Sequence, residues 1–200
     1  MQTTSAPNPQ VRACYERLGT LLEAGDDVFI EEGPTVLQSA IEQPGFFDGV
    51  ESEHAPPSKY TRRKVIGDFG EHVIRYMEWP PGYSLLPHEH HGRPCFEVLV
   101  DGLLSVVDLE PEHVEDDIYT MTVLGTSVTN PGDAAVVDPR ENEVHAVYSP
   151  VRSRSLHVYP EDNPHAYGYV LQEGGDEEDG TETHDCEEDL YRRERFALDD

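Results

Sequence analysis

The chain is short of basic residues, of cysteine and of long apolar runs, and each shortage removes a class of function. Lys and Arg number 14 against 41 Asp and Glu, a formal net charge of -27 at pH 7. Such a field repels phosphate backbones and anionic lipid, so neither nucleic acid nor a membrane is an expected partner. The charge instead fits a salty cytoplasm, where ions screen the self-repulsion of the compact state. Cys14, Cys95 and Cys186 are the only three cysteines. An odd number spaced so widely makes neither a disulfide framework nor a CxxC metal knuckle, and suits a reducing compartment. No apolar run approaches the roughly 20 residues of a spanning helix. The opening MQTTSAPNPQ lacks the basic and apolar regions of a secretory signal, so a cytoplasmic location is expected. No Gly-rich phosphate loop follows a strand pattern, which leaves nucleotide-binding folds without support.

What is present is turn-rich and periodic. Two hundred residues suit one domain, and 16 Gly with 16 Pro favour short strands over long helices. In VRACYERLGTLLEAG, Val11, Cys14, Tyr15, Leu18, Leu21 and Leu22 share one helical face, and Cys14 reads as a small core residue. PTVLQSAIEQ predicts a second helix opened by Pro34 and followed by Pro44. From Tyr60 the pattern changes to strands: HVIRYMEW, CFEVLVDGLLSVVDL, YTMTVL, AAVVD, VHAVYS, SLHVYP and YGYVL. Turn signals such as EWPPG, EPEHVEDD and TNPGD separate them, which predicts an all-β sandwich or small barrel. The expected division is a helical cover over 1–57, a barrel over 58–172 and an acidic, self-repelling, disordered tail over 173–200. His184 and Cys186 fall in that tail as linker residues, and Leu190, Tyr191 and Phe196 near its end are not expected to dock.

The stretch HEHHGRPC concentrates imidazoles and a thiol. On an extended segment His88 and His90 point the same way, and a distant His145 opening VHAVYS can face them across a barrel. A histidine-only site with open positions suits Fe, Zn, Cu or Ni. His91 has the opposite parity and reads as a bystander. Cys95 is either a small buried hydrophobe or a nucleophile with a histidine base, although no oxyanion-hole motif accompanies it. Glu97 shares the parity of Cys95, so it is either a carboxylate ligand to a metal or a buried charge held by hydrogen bonds. Ser155, His157 and Tyr159 alternate and therefore share one strand face, and Arg62 offers a planar fork suited to a carboxylate.

GYSLLPHEHHGRPCFEVLVDG resembles the first conserved motif of the cupin superfamily, in which Gly, two His, an acidic residue and a final Gly recur at fixed spacing. Cys95 occupies the acidic slot, with six residues between it and Gly102. A Cys in that slot is known in the cysteine dioxygenase family of cupins, which YTR at Tyr60 to Arg62 and SLHVYP at Ser155 to Pro160 also resemble. The likeness spans roughly Tyr60 to Tyr169. It implies a cupin small β-barrel, the double-stranded β-helix, holding Fe(II) through His88, His90 and His145. It further implies that Arg62 binds a substrate carboxylate beside Tyr60, and that Ser155 and His157 relay protons to Tyr159. Cys95 matches a Cys that in animal members joins covalently to the Tyr in the position of Tyr159. The implied reaction turns L-cysteine and dioxygen into cysteine sulfinic acid, with a small thiol and O2 as partners and a monomer sufficient. Another thiol acid such as 3-mercaptopropionate is the nearest alternative, although relatives that prefer it typically lack the Arg of YTR; a non-enzymatic cupin binding a metal or small ligand is another. Pro164 in PHAYG and the acidic Glu97 depart from the family pattern.

Raising salt from about 0.1 M to about 1 M shortens the screening length from about 10 Å to about 3 Å. The midpoint of thermal unfolding is expected to rise over that range, and a midpoint independent of salt would refute adaptation of the charge to a salty solvent.

Overall fold

The computed structural model describes residues 8–50, 61–64, 72–161, 165–172 and 189–197. Tyr60, Pro164, His184, Cys186 and the acidic run over 173–188 lie outside the described residues. Helix α1 spans Pro9–Ala24. The Asn8 side chain accepts from the Gln10 N–H at 2.9 Å, and Pro9 occupies a position where its missing N–H is no loss. Val11, Cys14, Tyr15, Leu18 and Leu21 form its buried face. Gly25 interrupts the chain, and α2 runs over Asp26–Ile41.

The second helix therefore begins well before Pro34, which lies inside it rather than opening it. Two features of the earlier turns account for this. Asp26 and Asp27 in the first turn favour the helix dipole, and Phe29 and Gly33 supply apolar contacts that extend the buried face. A Cβ built on Gly33 would stand 2.5 Å from Phe96 Cε1, so the missing side chain is what lets α2 lie against the sheet.

The strands are β1 (Thr61–Lys64), β2 (Val73–Trp79), β3 (Tyr83–Glu89), β4 (Cys95–Asp101), β5 (Leu104–Glu115), β6 (Ile118–Thr129), β7 (Ala134–Val137), β8 (Val144–Ser149), β9 (Ser153–Tyr159), β10 (His165–Leu171) and β11 (Tyr191–Ala197). They form an all-β core with the two helices ahead of it in the chain. One five-stranded antiparallel sheet has the order β1-β2-β9-β4-β7, and β10, β11, β6, β5, β8 and β3 pair in a ring. The five-stranded sheet shows clean alternation. Ile74, Tyr76, Phe96, Val98, Leu156 and Val158 pack with the helices, whereas Met77, Trp79 and Leu99 meet Leu104 and Val147 in the interior. Gly102 turns β4 into β5 at φ 87°, where a Cβ would lie 2.6 Å from the Arg152 carbonyl oxygen. Only glycine fits that corner.

Two expectations fail here. EPEHVEDD is not a gap between strands, because β5 continues to Glu115 and turns at Asp116 and Asp117 into β6. Its exposed polar residues hid the extension, since the outer end of a long hairpin buries no face. The segment after residue 172 is not a disordered tail throughout, because Tyr191–Ala197 pair along the whole of β10. Arg193 lies 3.9 Å over the Tyr167 ring and pairs with Glu89, contacts that outweigh the local charge. Among the described residues no helix is long and apolar enough to cross a membrane.

His72 joins α1 to the sheet. Its ring stacks on Tyr15 at 3.6 Å, and the Tyr15 hydroxyl donates to the His72 carbonyl at 2.9 Å. Burial lowers its pKa to about 4, and neither ring nitrogen meets a hydrogen-bond partner among the described residues. The folded chain keeps this imidazole neutral while the unfolded chain protonates it near the ordinary 6.5. Its contribution is therefore present above pH 6.5 and lost as pH falls toward 4. Relative to wild type, His72→Phe is expected to flatten the fall in stability over that window by at most about 3 kcal/mol, from 1.36 kcal/mol per unit. Parallel denaturant titrations at several pH values measure the difference, and equal slopes would refute it.

Candidate metal centre

His88 and His145 face each other across the β3–β8 pairing, and His145 is also the register partner of Asp108 on β5. The pairing slips by one residue between Leu85 and His88. Leu86 and Pro87 occupy that slip, and Pro87 has no N–H for the ladder, so a bulge there is the natural outcome. The slip reverses the inward parity. Leu85 packs in the interior, and three residues later His88 faces inward as well. His90 follows just beyond the strand, at the head of a turn in which His91 and Gly92 have φ of 59° and 66°. Arg93 N–H donates to the His90 carbonyl at 3.2 Å to close that turn.

The three imidazoles meet in one cluster, their candidate ligand nitrogens all within 4.8 Å of one another. Ring centroids lie 4.6 Å apart for His88 and His145, and 4.9 Å for His90 with either. The donor chemistry fits a metal. His88 Nδ1 lies 3.0 Å from the Leu86 carbonyl, so its N–H donates there and Nε2 keeps its lone pair. His90 Nδ1 is buried and meets no hydrogen-bond partner among the described residues, a lone pair or proton otherwise left without use. Burial holds His90 and His145 well below the ordinary imidazole pKa, with the neighbouring imidazoles adding to the effect. Neutral rings are the form that ligates.

Beyond the cluster, a cavity of about 580 Å³ is lined by Cys95, Glu97, His157 and Tyr159 among others. Ser155 Oγ lies 2.7 Å from His157 Nε2, and the Tyr159 hydroxyl 3.4 Å from His157 Nδ1. Trp79 Nε1–H donates to Ser155 Oγ at 2.8 Å. The Tyr159 ring stacks toward His90, 6.1 Å between centroids. Cys95 is buried, and burial with nearby Glu97 and Glu143 pushes its thiol well above the ordinary range. A thiol held protonated in this way is a poor nucleophile. The β4–β9 register sets Phe96 opposite Val158 and Glu97 opposite His157. Cys95 precedes Phe96 on β4 and Tyr159 follows Val158 on β9, and both line the cavity.

Glu97 is not among the clustered ligands. Its carboxylate lies 2.9 Å from His157 Nε2. His91 also stands apart, with Nε2 2.7 Å from the His165 carbonyl. Arg62 sits opposite Met77 in the β1–β2 register, and its side chain, like Tyr60, is outside the described residues.

Four residues escaped the sequence reading. Arg75 is buried on β2 as the cross-strand neighbour of His157 and lines the cavity. Strand parity with Met77 and Trp79 was its one available signal. Asp108 lies beside His145 and lines the same cavity. Glu89, between the two ligands, turns outward and accepts from the Tyr169 hydroxyl at 3.1 Å and from Arg193. The Glu143 carboxylate accepts from the Gly92 N–H and fixes the turn that carries His90.

No protein-family model and no curated protein matches the chain. Solved structures do. The polyketide cyclase RemF from Streptomyces resistomycificus is 22% identical, with 60% of this chain and 79% of that one covered at a TM-score of 0.43. Hydroquinone 1,2-dioxygenase from Sphingomonas sp. TTNP3 is 19% identical, with 57% and 72% covered at a TM-score of 0.43. A cupin superfamily protein from Desulfitobacterium hafniense is 14% identical, with 55% and 84% covered at a TM-score of 0.41. These are partial likenesses, and the site is read from its own geometry: a three-histidine cluster inside an all-β core, able to hold a divalent metal.

His145→Ala removes one of the three candidate ligands. The variant is expected to fold yet retain well under one equivalent of metal after loading with Fe(II), measured by elemental analysis. Stoichiometric metal in that variant would exclude His145 from the centre.

Proposed function

We propose that the chain is a non-heme Fe(II) thiol dioxygenase that converts L-cysteine and O2 to cysteine sulfinic acid. The observation that carries this reading is one cavity in which three clustered imidazoles face the Tyr159–His157–Ser155 chain, with Cys95 in the acidic slot of the motif. His88, His90 and His145 would hold Fe(II), which would supply the redox chemistry that brings a thiol and dioxygen together and lower the entropic cost of their encounter. The chain's own residues do the rest. Arg62 clamps the substrate carboxylate through its guanidinium fork, with Tyr60 beside it. Tyr159, backed by His157 and Ser155, hydrogen-bonds the substrate as its sulfur is oxidised. The apolar walls around Met77, Trp79 and Leu99 keep bulk water from that end of the cavity. Both oxygen atoms end on sulfur, RSH + O2 giving RSO2H, so no external reductant or organic cofactor enters.

Cys95 and Tyr159, both in the cavity wall, are the two residues a thioether would join, formed with dioxygen as oxidant and lowering the mass of the chain by two hydrogens. A second reading, oxidation of another small thiol acid, gains support from Arg75, a buried second cation at the cavity wall.

Oxygen uptake by the iron-loaded protein with a panel of small thiols decides between them. Uptake with L-cysteine and formation of its sulfinic acid are expected, and no uptake with any thiol would refute the enzyme. Arg62→Ala is expected to raise KM for carboxylate-bearing thiols roughly 10- to 100-fold, the equivalent of one charge-assisted hydrogen bond. An unchanged KM would remove Arg62 from substrate binding.

A further inference from the structure

We infer that Glu97 is the positioning residue of the cavity: it holds His157 in the tautomer protonated on Nε2, which fixes the direction of the hydrogen bond to Tyr159. Three interior side chains stand in a row across the five-stranded sheet, because β2 pairs Arg75 with His157 and β4 pairs Glu97 with His157. Arg75 and Glu97 are both buried. Imidazole, carboxylate and guanidinium thus share one strip of wall with little water between them.

The hydrogen-bond inventory leaves one consistent assignment. His157 Nε2 lies 2.9 Å from Glu97 Oε2 and 2.7 Å from Ser155 Oγ. A carboxylate only accepts, so a bare Nε2 would set lone pair against lone pair at that distance. With hydrogen on Nε2, Ser155 Oγ accepts from it and also takes the Trp79 N–H, and the Glu97 carboxylate lies beside an N–H instead of a lone pair. Nδ1 is then the unprotonated nitrogen, and it faces the Tyr159 hydroxyl at 3.4 Å. Tyr159 donates its proton back to the wall, and its oxygen lone pairs turn to the cavity. In the other tautomer Nδ1–H would donate to Tyr159, and the phenol proton would point at the substrate instead.

A serine hydroxyl alone cannot make this choice, since it donates or accepts as its neighbour requires. Ser155 therefore tolerates either tautomer and Glu97 allows one. The carboxylate does for this imidazole what a buried acidic residue does for the base of a hydrolytic triad, setting which nitrogen faces the reacting partner. Its catalytic meaning rests on the thiol-dioxygenase reading, but the tautomer does not.

The test uses full-length protein labelled with 15N-histidine and loaded with Zn(II) as a diamagnetic probe. Two-bond proton–nitrogen correlation spectra distinguish the two neutral tautomers and the doubly protonated ring, and the His157 signals are those lost in His157→Gln. Wild type is expected to show Nε2–H. Glu97→Gln is expected to keep it, because an amide oxygen presents a lone pair to the same nitrogen, and Glu97→Leu to give Nδ1–H or a mixture. Glu97→Met takes its place if the Leu variant does not fold. An Nδ1–H or doubly protonated His157 in wild type, or an unchanged tautomer in the apolar variant, overturns the inference. In the oxygen-uptake assay the apolar variant is expected to lose roughly 10- to 100-fold in kcat with KM little changed, and Gln to restore most of it. The expected tautomer without thiol oxidation by wild type would defeat the proposed function and leave the role of Glu97 standing.

Discussion

The site depends on a one-residue slip in the pairing of β3 with β8. Leu85 opposes Val147 and His88 opposes His145, so β3 carries one residue more than its partner between them. Without that residue the two-residue period of a strand would send His88 outward whenever Leu85 faced in. With it, an apolar layer of Leu85, Val147, Leu99 and Trp79 passes into a polar layer of imidazoles on the same interior surface. Pro87 sits where the ladder must tolerate a missing donor, and the bulge meets that need.

Once the slip is set, neighbouring contacts hold both ends of the HEHH segment. Glu89 alternates outward from His88 and His90 and meets Tyr169 and Arg193, which come from β10 and β11. A strand from the far end of the chain therefore braces the peptide between two ligands. The turn after His90 is tied by the Gly92 N–H to Glu143, two residues before His145. Each candidate ligand is thus fixed through a residue that does not itself reach the centre, an arrangement that narrows the positions open to the imidazoles.

The opposite wall solves a different problem, the burial of charge. Arg75 and Glu97 in the interior of a β-sheet would each be costly alone, because the low-dielectric surroundings penalise an unpaired ion by several kcal/mol. Placed on either side of His157 in one register row, they share a polar strip with Ser155 and the indole N–H of Trp79. That strip is separated from the helix-facing layer by the thickness of the sheet, so the apolar packing of α1 and α2 is undisturbed.

Much of this was legible in the sequence for a definite reason. The period of two in SLHVYP and CFEVLVDG places Ser155, His157, Tyr159, Cys95 and Glu97 on one interior face, because side-chain alternation is a local property of a strand. The same locality marked the apolar face of α1. Local pattern misjudged the start of α2, the length of the β5–β6 hairpin and the strand at 191–197, whose stability comes from partners distant in sequence. Whether Glu97 ligates a metal or is a buried charge held by hydrogen bonds was open for the same reason. Parity says which face a side chain occupies, but only the pairing of β4 with β9 says that His157 is the group opposite it. Residue type and alternation thus determined the chemistry available to the cavity, and strand register, which depends on contacts made across the whole chain, decided which groups meet.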